Sequence, residues 1–214
     1  MKKVLFFIVL AGLAMSCKNL TGIRGSGSAK TETRSLSGFK EIRAGAAVNL
    51  DIGFKTEYSV SVEADDNLLE YITTELDGDT LVIGQKDQIN SKNGINIKIT
   101  MPELTRLDIS GASTANVAGL KGDKLTADFS GASKAKIEGE VREFKGRASG
   151  ASGIDAANLK AENADVDASG ASSITVNAAG ELKAEASGAS KVLYIGDPKS
   201  LKQNASGASS VKKK

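Results

Sequence analysis

The 214-residue sequence contains no histidine, no tryptophan, one cysteine and two prolines. Without histidine, Ser-His-Asp and Cys-His nucleophilic catalysis and the histidine-based zinc sites are excluded. A single cysteine makes neither an internal disulfide nor a multi-cysteine metal site. Aromatic residues are 4% of the chain, so small side chains must fill much of the interior and the core must be narrow or layered. Only one long apolar run exists, Val4–Leu13, behind Met1-Lys2-Lys3. It is too short to cross a bilayer as a helix and has the pattern of a cleaved export signal over residues 1–16.

The small residues Ala14 and Ser16 stand just before Cys17. This segment resembles the lipobox of bacterial lipoproteins. The resemblance implies cleavage before Cys17, a diacylglycerol on its thiol and an acylated amino end. The partner it implies is a membrane, held through several acyl chains and therefore firmly. Loss of residues 1–16 removes Lys2 and Lys3 and leaves 28 − 2 = 26 basic against 26 acidic side chains. A neutral chain with no basic stripe and few aromatics does not suit nucleic acid. Residues 17–35, with Gly25-Ser26-Gly27-Ser28, read as a lipidated cysteine and flexible tether.

Repeats dominate the rest. Ser-Gly-Ala-Ser begins at Ser110, Ser130, Ser149, Ser169, Ser187 and Ser206, at intervals of 20, 19, 20, 18 and 19 residues. A period of this size means a solenoid. Apolar or small residues alternate on both sides of the motif: Leu107 and Ile109 before the first copy, Ala115 and Val117 after it, and equivalents such as Val166, Ala168, Ile174 and Val176 further on. Such alternation predicts strands, so each repeat should be one coil of a parallel β-helix of 18–20 residues per coil. The helix is expected over 107–211, and six motifs should span about 24 Å of stack.

The motif admits two readings. Gly111, Gly131, Gly150, Gly170, Gly188 and Gly207 permit either a straight strand or a bend. In a straight strand the glycine and the second serine, Ser113, Ser133, Ser152, Ser172, Ser190 or Ser209, join the inward row. In a bend the alanine turns inward and the hydroxyls face solvent or adjacent backbone. The eighteen serines and glycines thus form a ladder that serves either the coil corner or a contact surface.

The preceding part, 36–106, also alternates, at Val48-Leu50-Ile52, Tyr58-Val60-Val62, Leu81-Ile83 and Ile95-Ile97-Ile99-Met101, with turns at Asp77-Gly78-Asp79 and Asn93-Gly94. Asp66–Ile72 reads as a short helix capped by Asp65 or Asp66. This half is expected to continue the helix or to cover its end.

Several segments here, Phe39-Lys40-Glu41-Ile42, Ala47–Leu50, Ser61–Leu69, Gly78–Ile83, Gly94-Ile95-Asn96 and Met101–Leu104, together with the downstream repeats, resemble the head GIN domain family of adhesin-like lipoproteins of Bacteroides-type bacteria. The resemblance spans about 38–209. It implies a right-handed β-helical, all-β fold and carries no catalytic residues. Asp65-Asp66 could be half of an acid/base or calcium site, but a cap explains them, and the outward Asp108, Asp128, Asp155, Asp165 and Asp167 are interspersed with Lys134, Lys136, Lys145, Lys183 and Lys191. No G-G-x-G-x-D calcium repeat and no phosphate loop occurs. The expectation is a protein with no cofactor and no metal: a lipid-anchored, non-catalytic envelope protein, with a glycan, another envelope component or its own copies as partner. The alternative is a β-helical polysaccharide lyase or hydrolase.

Overall fold

The computed structural model describes residues 22–214; the signal segment, Cys17 and the first part of the expected tether lie outside them. The N-terminal part holds β1 (Ile23–Arg24), β2 (Ala29–Arg34), β3 (Glu41–Ala44), β4 (Asn49–Phe54), β5 (Ser59–Asp65), β6 (Ile72–Asp77), β7 (Thr80–Gln85), β8 (Ile89–Asn90) and β9 (Asn96–Met101). The repeats hold β10 (Arg106–Ile109), β11 (Thr114–Phe129), β12 (Lys134–Ala148), β13 (Gly153–Ala168), β14 (Ser173–Ala178), β15 (Glu181–Ala186), β16 (Lys191–Ile195), β17 (Ser200–Ala205) and β18 (Ser210–Lys213). With 64% strand and 3% helix, the fold is an all-β parallel solenoid of about 5 turns.

Every strand pair within the repeats is parallel, and equivalent residues lie side by side. One column runs Leu107, Ala127, Gly146, Val166, Ala184 and Gln203, and another Ala115, Ala135, Ile154, Ile174, Val192 and Val211. These are the alternating positions of the sequence, and all but the last coil's are buried. Alanines fill much of the core, among them Ala127, Ala148, Ala156, Ala168 and Ala184. Where a large ring enters, its neighbour shrinks: Phe144 occupies the space into which a Cβ on Gly146 would project at 3.0 Å.

The bend lies at the motif glycine. Gly111, Gly131, Gly150, Gly170, Gly188 and Gly207 have φ between 71° and 77°, a left-handed conformation in which only glycine is unstrained. They stack on one another. The amides of Ala132, Ala151, Ala171, Ala189 and Ala208 each donate at 2.8 Å to the carbonyl of the glycine one coil back. A Cβ on Gly150 would lie 2.7 Å from the Gly131 oxygen.

The N-terminal half both continues and covers the solenoid. β3 and β4 form a further coil, paired in parallel with β10 and β11. Its corner, Gly45-Ala46-Ala47-Val48, sits opposite the first SGAS motif, and Ala46 takes φ 103° there. The cover comes from residues inserted between this coil and the next, with β2 added from before it. β5 runs antiparallel to β9 and to β2, and β6 folds antiparallel onto β7 through the Asp77–Asp79 turn. The flexible tether expected to Ser35 is therefore ordered from Gly22: β1 pairs with β8, and the alternating Ala29–Arg34 segment adds to the edge of β5. Backbone pairing at that open edge outweighs the flexibility suggested by the Gly-Ser composition.

Because the corner is packed backbone on backbone, Gly150→Val should lower unfolding free energy by about 1–3 kcal/mol in chemical denaturation, through strain and collision together. Gly122, with no positive φ and open space around its Cβ position, should accept alanine without loss.

Candidate functional site: the serine corner and its flanking faces

At each corner the first serine is half-buried or exposed, glycine and alanine are exposed, and the second serine points into the core. Neither sequence reading is fully met: the chain bends at glycine, yet alanine faces solvent and only the second hydroxyl turns inward. The left-handed turn leaves the first serine's carbonyl without a backbone amide, and the second hydroxyl reaches either that carbonyl or one of the previous coil. The hydroxyl of Ser133 donates to the carbonyl of Ser130 at 2.8 Å, Ser152 to Ser149 at 2.8 Å and Ser209 to Ser206 at 2.7 Å. Ser172 and Ser190 donate instead to Ala148 and Ala168 of the previous coil, at 2.9 and 2.8 Å. Ser113 donates to the Ala46 carbonyl at 2.6 Å. The inner half of the ladder is thus internal hydrogen bonding, closed to any ligand. The outer half is a ridge of glycine and alanine, with Ser110, Ser130, Ser149, Ser169, Ser187 and Ser206 along one side.

Charged columns flank the ridge. On the face before the corner, Asp108, Asp128, Arg147 and Asp167 line a shallow groove of about 250 Å³ with Ser130, Ser149 and Ser169. Two of its three carboxylates meet guanidinium groups. Asp128 is paired with Arg106 and lies 3.5 Å from Arg147, and Asp108 lies 3.7 Å from Arg43. One column further out, Lys183 meets Glu185 at 2.9 Å and Asp165 at 3.9 Å, and its ammonium is held above the ordinary value, first by the Glu185 hydrogen bond. On the face after the corner, a groove of about 330 Å³ is bordered by Lys134, Asp155, Ser173 and Thr175. Lys136 bonds Glu138 at 2.7 Å, which lowers the Glu138 pKa. No group of three or more acidic, histidine or cysteine side chains suited to a metal occurs among the described residues.

The acidic pair singled out in the sequence has a different task. Asp66–Tyr71 is a 3-10 turn, and Asp65 makes no side-chain cap on it. Asp65 is fully buried. Its carboxylate accepts from the Ser91 hydroxyl at 2.6 Å, the amide of Lys92 at 2.8 Å, the amide of Gly27 at 2.7 Å and the Asn93 side chain at 2.8 Å. It ties the loop before β2 and the loop before β9 to the end of β5. The Ser91 hydroxyl is the largest influence holding its pKa down to about 2, and the amides of Lys92, Gly27 and Asn93 add to it against burial. A run of two aspartates could not reveal this, because its partners lie 26 to 38 residues away.

A capped parallel β-solenoid with stacked small-residue corners defines a class of repeat proteins. Residues 38–198 match the family described as "Putative auto-transporter adhesin, head GIN domain", and the chain belongs to that family. Among solved structures, a "putative adhesin" from Bacteroides fragilis NCTC 9343 is similar at 22% identity, covering 90% of this chain and 100% of its own, with a TM-score of 0.76. A "putative adhesin" from Parabacteroides merdae ATCC 43184 has 16% identity, 90% and 98% coverage and a TM-score of 0.59. A "putative lipid binding protein" from Parabacteroides distasonis ATCC 8503 has 21% identity, 90% and 99% coverage and a TM-score of 0.52. These likenesses establish the shared fold. No match is found among curated proteins.

Two outcomes follow from the buried groups. Ser152→Ala should cost about 1–2 kcal/mol in chemical denaturation, because a buried carbonyl loses its hydroxyl donor. Asp65 has a folded-state pKa below the ordinary 3.8. Its stabilisation is therefore fully present above that value and is lost as pH falls through about 2. Asp65→Asn should lower the melting temperature at pH 7, and its melting temperature should fall less steeply than that of the unsubstituted protein between pH 4 and pH 2.

Proposed function

We propose that this protein is a lipid-anchored, non-catalytic component of the bacterial cell envelope, held at the outer membrane through Cys17, whose solenoid serves as a binding or scaffolding surface. The observation that carries the reading is the character of the outer faces. The small-residue ridge runs the length of the repeats between columns of mixed charge, and Asp108, Asp128 and Asp165 beside it each lie against an arginine or lysine. Glycoside cleavage needs two carboxyl groups placed about the scissile bond with separate acid and base roles. Adhesin membership in the family supports an envelope or surface setting, and the lipobox-like Ala14-Met15-Ser16-Cys17 segment supports the anchor. The description of one structural neighbour as lipid binding is compatible with a membrane-side setting for this fold.

The anchor is tested by intact mass. Protein extracted from membranes should lack residues 1–16 and carry acyl chains, and Cys17→Ser should leave the membrane fraction or remain uncleaved. Unmodified Cys17 in a membrane-free fraction would count against the anchor. Turnover of an envelope or dietary polysaccharide by the purified protein, lost on changing one or two acidic residues, would move it to the enzymes.

A further inference from the structure

The two ends of the solenoid differ, and they complement each other. β6 is the last strand of the sheet at the covered end and pairs only with β7; β17 ends the same face at the other extremity and pairs only with β15. The exposed large hydrophobic residues among those described are Leu76 and Leu201, at 43% and 39% exposure, one on each of these edge strands. Both occupy inward columns. Leu76 lies beside buried Leu81 and Leu201 beside buried Leu182, so each would be core if one more strand were stacked upon it.

The charges of the two ends are opposite. Residues 22–105 carry 13 acidic and 9 basic side chains, whereas residues 197–214 carry one acidic and five basic. Glu70, Glu75 and Asp77 are exposed along and before β6; Lys199 and Lys202 flank and occupy β17, with Lys212 to Lys214 beside them. Lysines on an open edge repel another edge of the same kind. They rule against two basic ends meeting, and they favour the acidic end of a second molecule.

From this we infer that copies of this chain associate head to tail along the solenoid axis, β17 of one molecule pairing with β6 of the next. β6 runs antiparallel to β7, which is parallel to the coil strands, so coaxial stacking makes the new pair antiparallel. Both strands have six residues. Full overlap is offset by two residues from the coil columns, in which Leu76 lies in line with Gln203; with that offset Leu76 faces Leu201, Thr74 faces Gln203 and Ile72 faces Ala205 on the inner side. On the outer side, Glu75 faces Lys202. Beside β6 a groove of about 500 Å³ separates Thr73, Thr74 and Glu75 from Arg34, Ser35 and Leu36 at the end of β2. The contact is heterologous and does not close on itself, so it builds linear chains rather than a dimer.

This names self-association as the partner within the scaffold reading above, and its test is independent of the anchor and of catalysis. The hydrophobic core is a single cluster contained within residues 39–192, so the soluble chain from Gly22 onward serves. In sedimentation velocity its average mass should rise with concentration beyond that of a dimer, and the rise should be suppressed in about 1 M salt, where charges are screened beyond roughly 3 Å. Glu75→Lys and Lys202→Glu, both on exposed side chains, should each reduce association. An equimolar mixture of the two variants should restore it, because the reversed charges then meet at alternate junctions. Wild-type protein that stays monomeric at every concentration would overturn the inference. So would association that Glu75→Lys leaves unchanged, which would place the contact away from the β6 edge, or a mixture no more associated than its components. Unchanged circular dichroism shows that each variant keeps the fold.

Discussion

The hydrogen bond from each motif alanine amide to the glycine carbonyl one coil back holds the corner to a single geometry, and the remainder of the coil is arranged around it. It demands that the chain approach itself without a Cβ between, which is why glycine recurs. It also demands a left-handed residue, which leaves the carbonyl of the first serine outside the strand ladder. In four of the six coils the second serine supplies a donor to it. Glycine and serine are therefore two halves of one solution: the first makes the turn sterically open, and the second satisfies the polar groups that the turn buries. Ala46 shows the limit of the demand. It holds the corner position in the first coil with φ 103°, below which β7 continues along the strand face and no further motif corner is stacked.

Much of this was legible in the sequence because the period is short and the inward positions alternate. Ile154, Ile174 and Val192 align in the repeat and pack in one column. The first coil was hidden. Its corner reads Gly45-Ala46-Ala47-Val48, with neither serine, and its spatial neighbour lies 65 residues later, so no period connects them. The only trace was the alternation of Val48, Leu50 and Ile52, which matches Ser113, Ala115 and Val117 position for position. The direction of the second serine was also beyond reach, since period-2 reasoning has no rule for a residue that follows a left-handed turn. Asp65 was misread for a related reason. A polar residue before a short helical turn suggests a cap, while the groups that claim its carboxylate come from two distant loops.

The cover on the N-terminal end and the charges on the outer faces are different answers to the same exposure problem. β9 lies parallel on the first coil and β5 closes it with antiparallel pairing, through buried valines and isoleucines and secured by the Asp65 carboxylate. At the other end the last coil has lysines and an incompletely covered inward row. Along the flank before the corner, the column Arg43, Asp108, Asp128, Arg147, Asp167 and Glu185 mixes the two signs, so that Arg43 attracts Asp108 and Arg147 attracts Asp128, while Asp108 faces Asp128 and Asp167 faces Glu185 directly.

The insertion between the first coil and the second carries a consequence for how the chain reaches this shape. Neighbouring coils in the repeats are joined by contacts about 19 residues apart, whereas β3 and β4 meet β10 and β11 across some 65 residues. Loop closure of that length is entropically dearer, and contacts of long sequence separation form more slowly. The repeats are thus the natural nucleus, from which order propagates coil by coil. During synthesis the order of events is inverted: the first coil leaves the ribosome before the strands on which it must lie, and it waits for its template to be made.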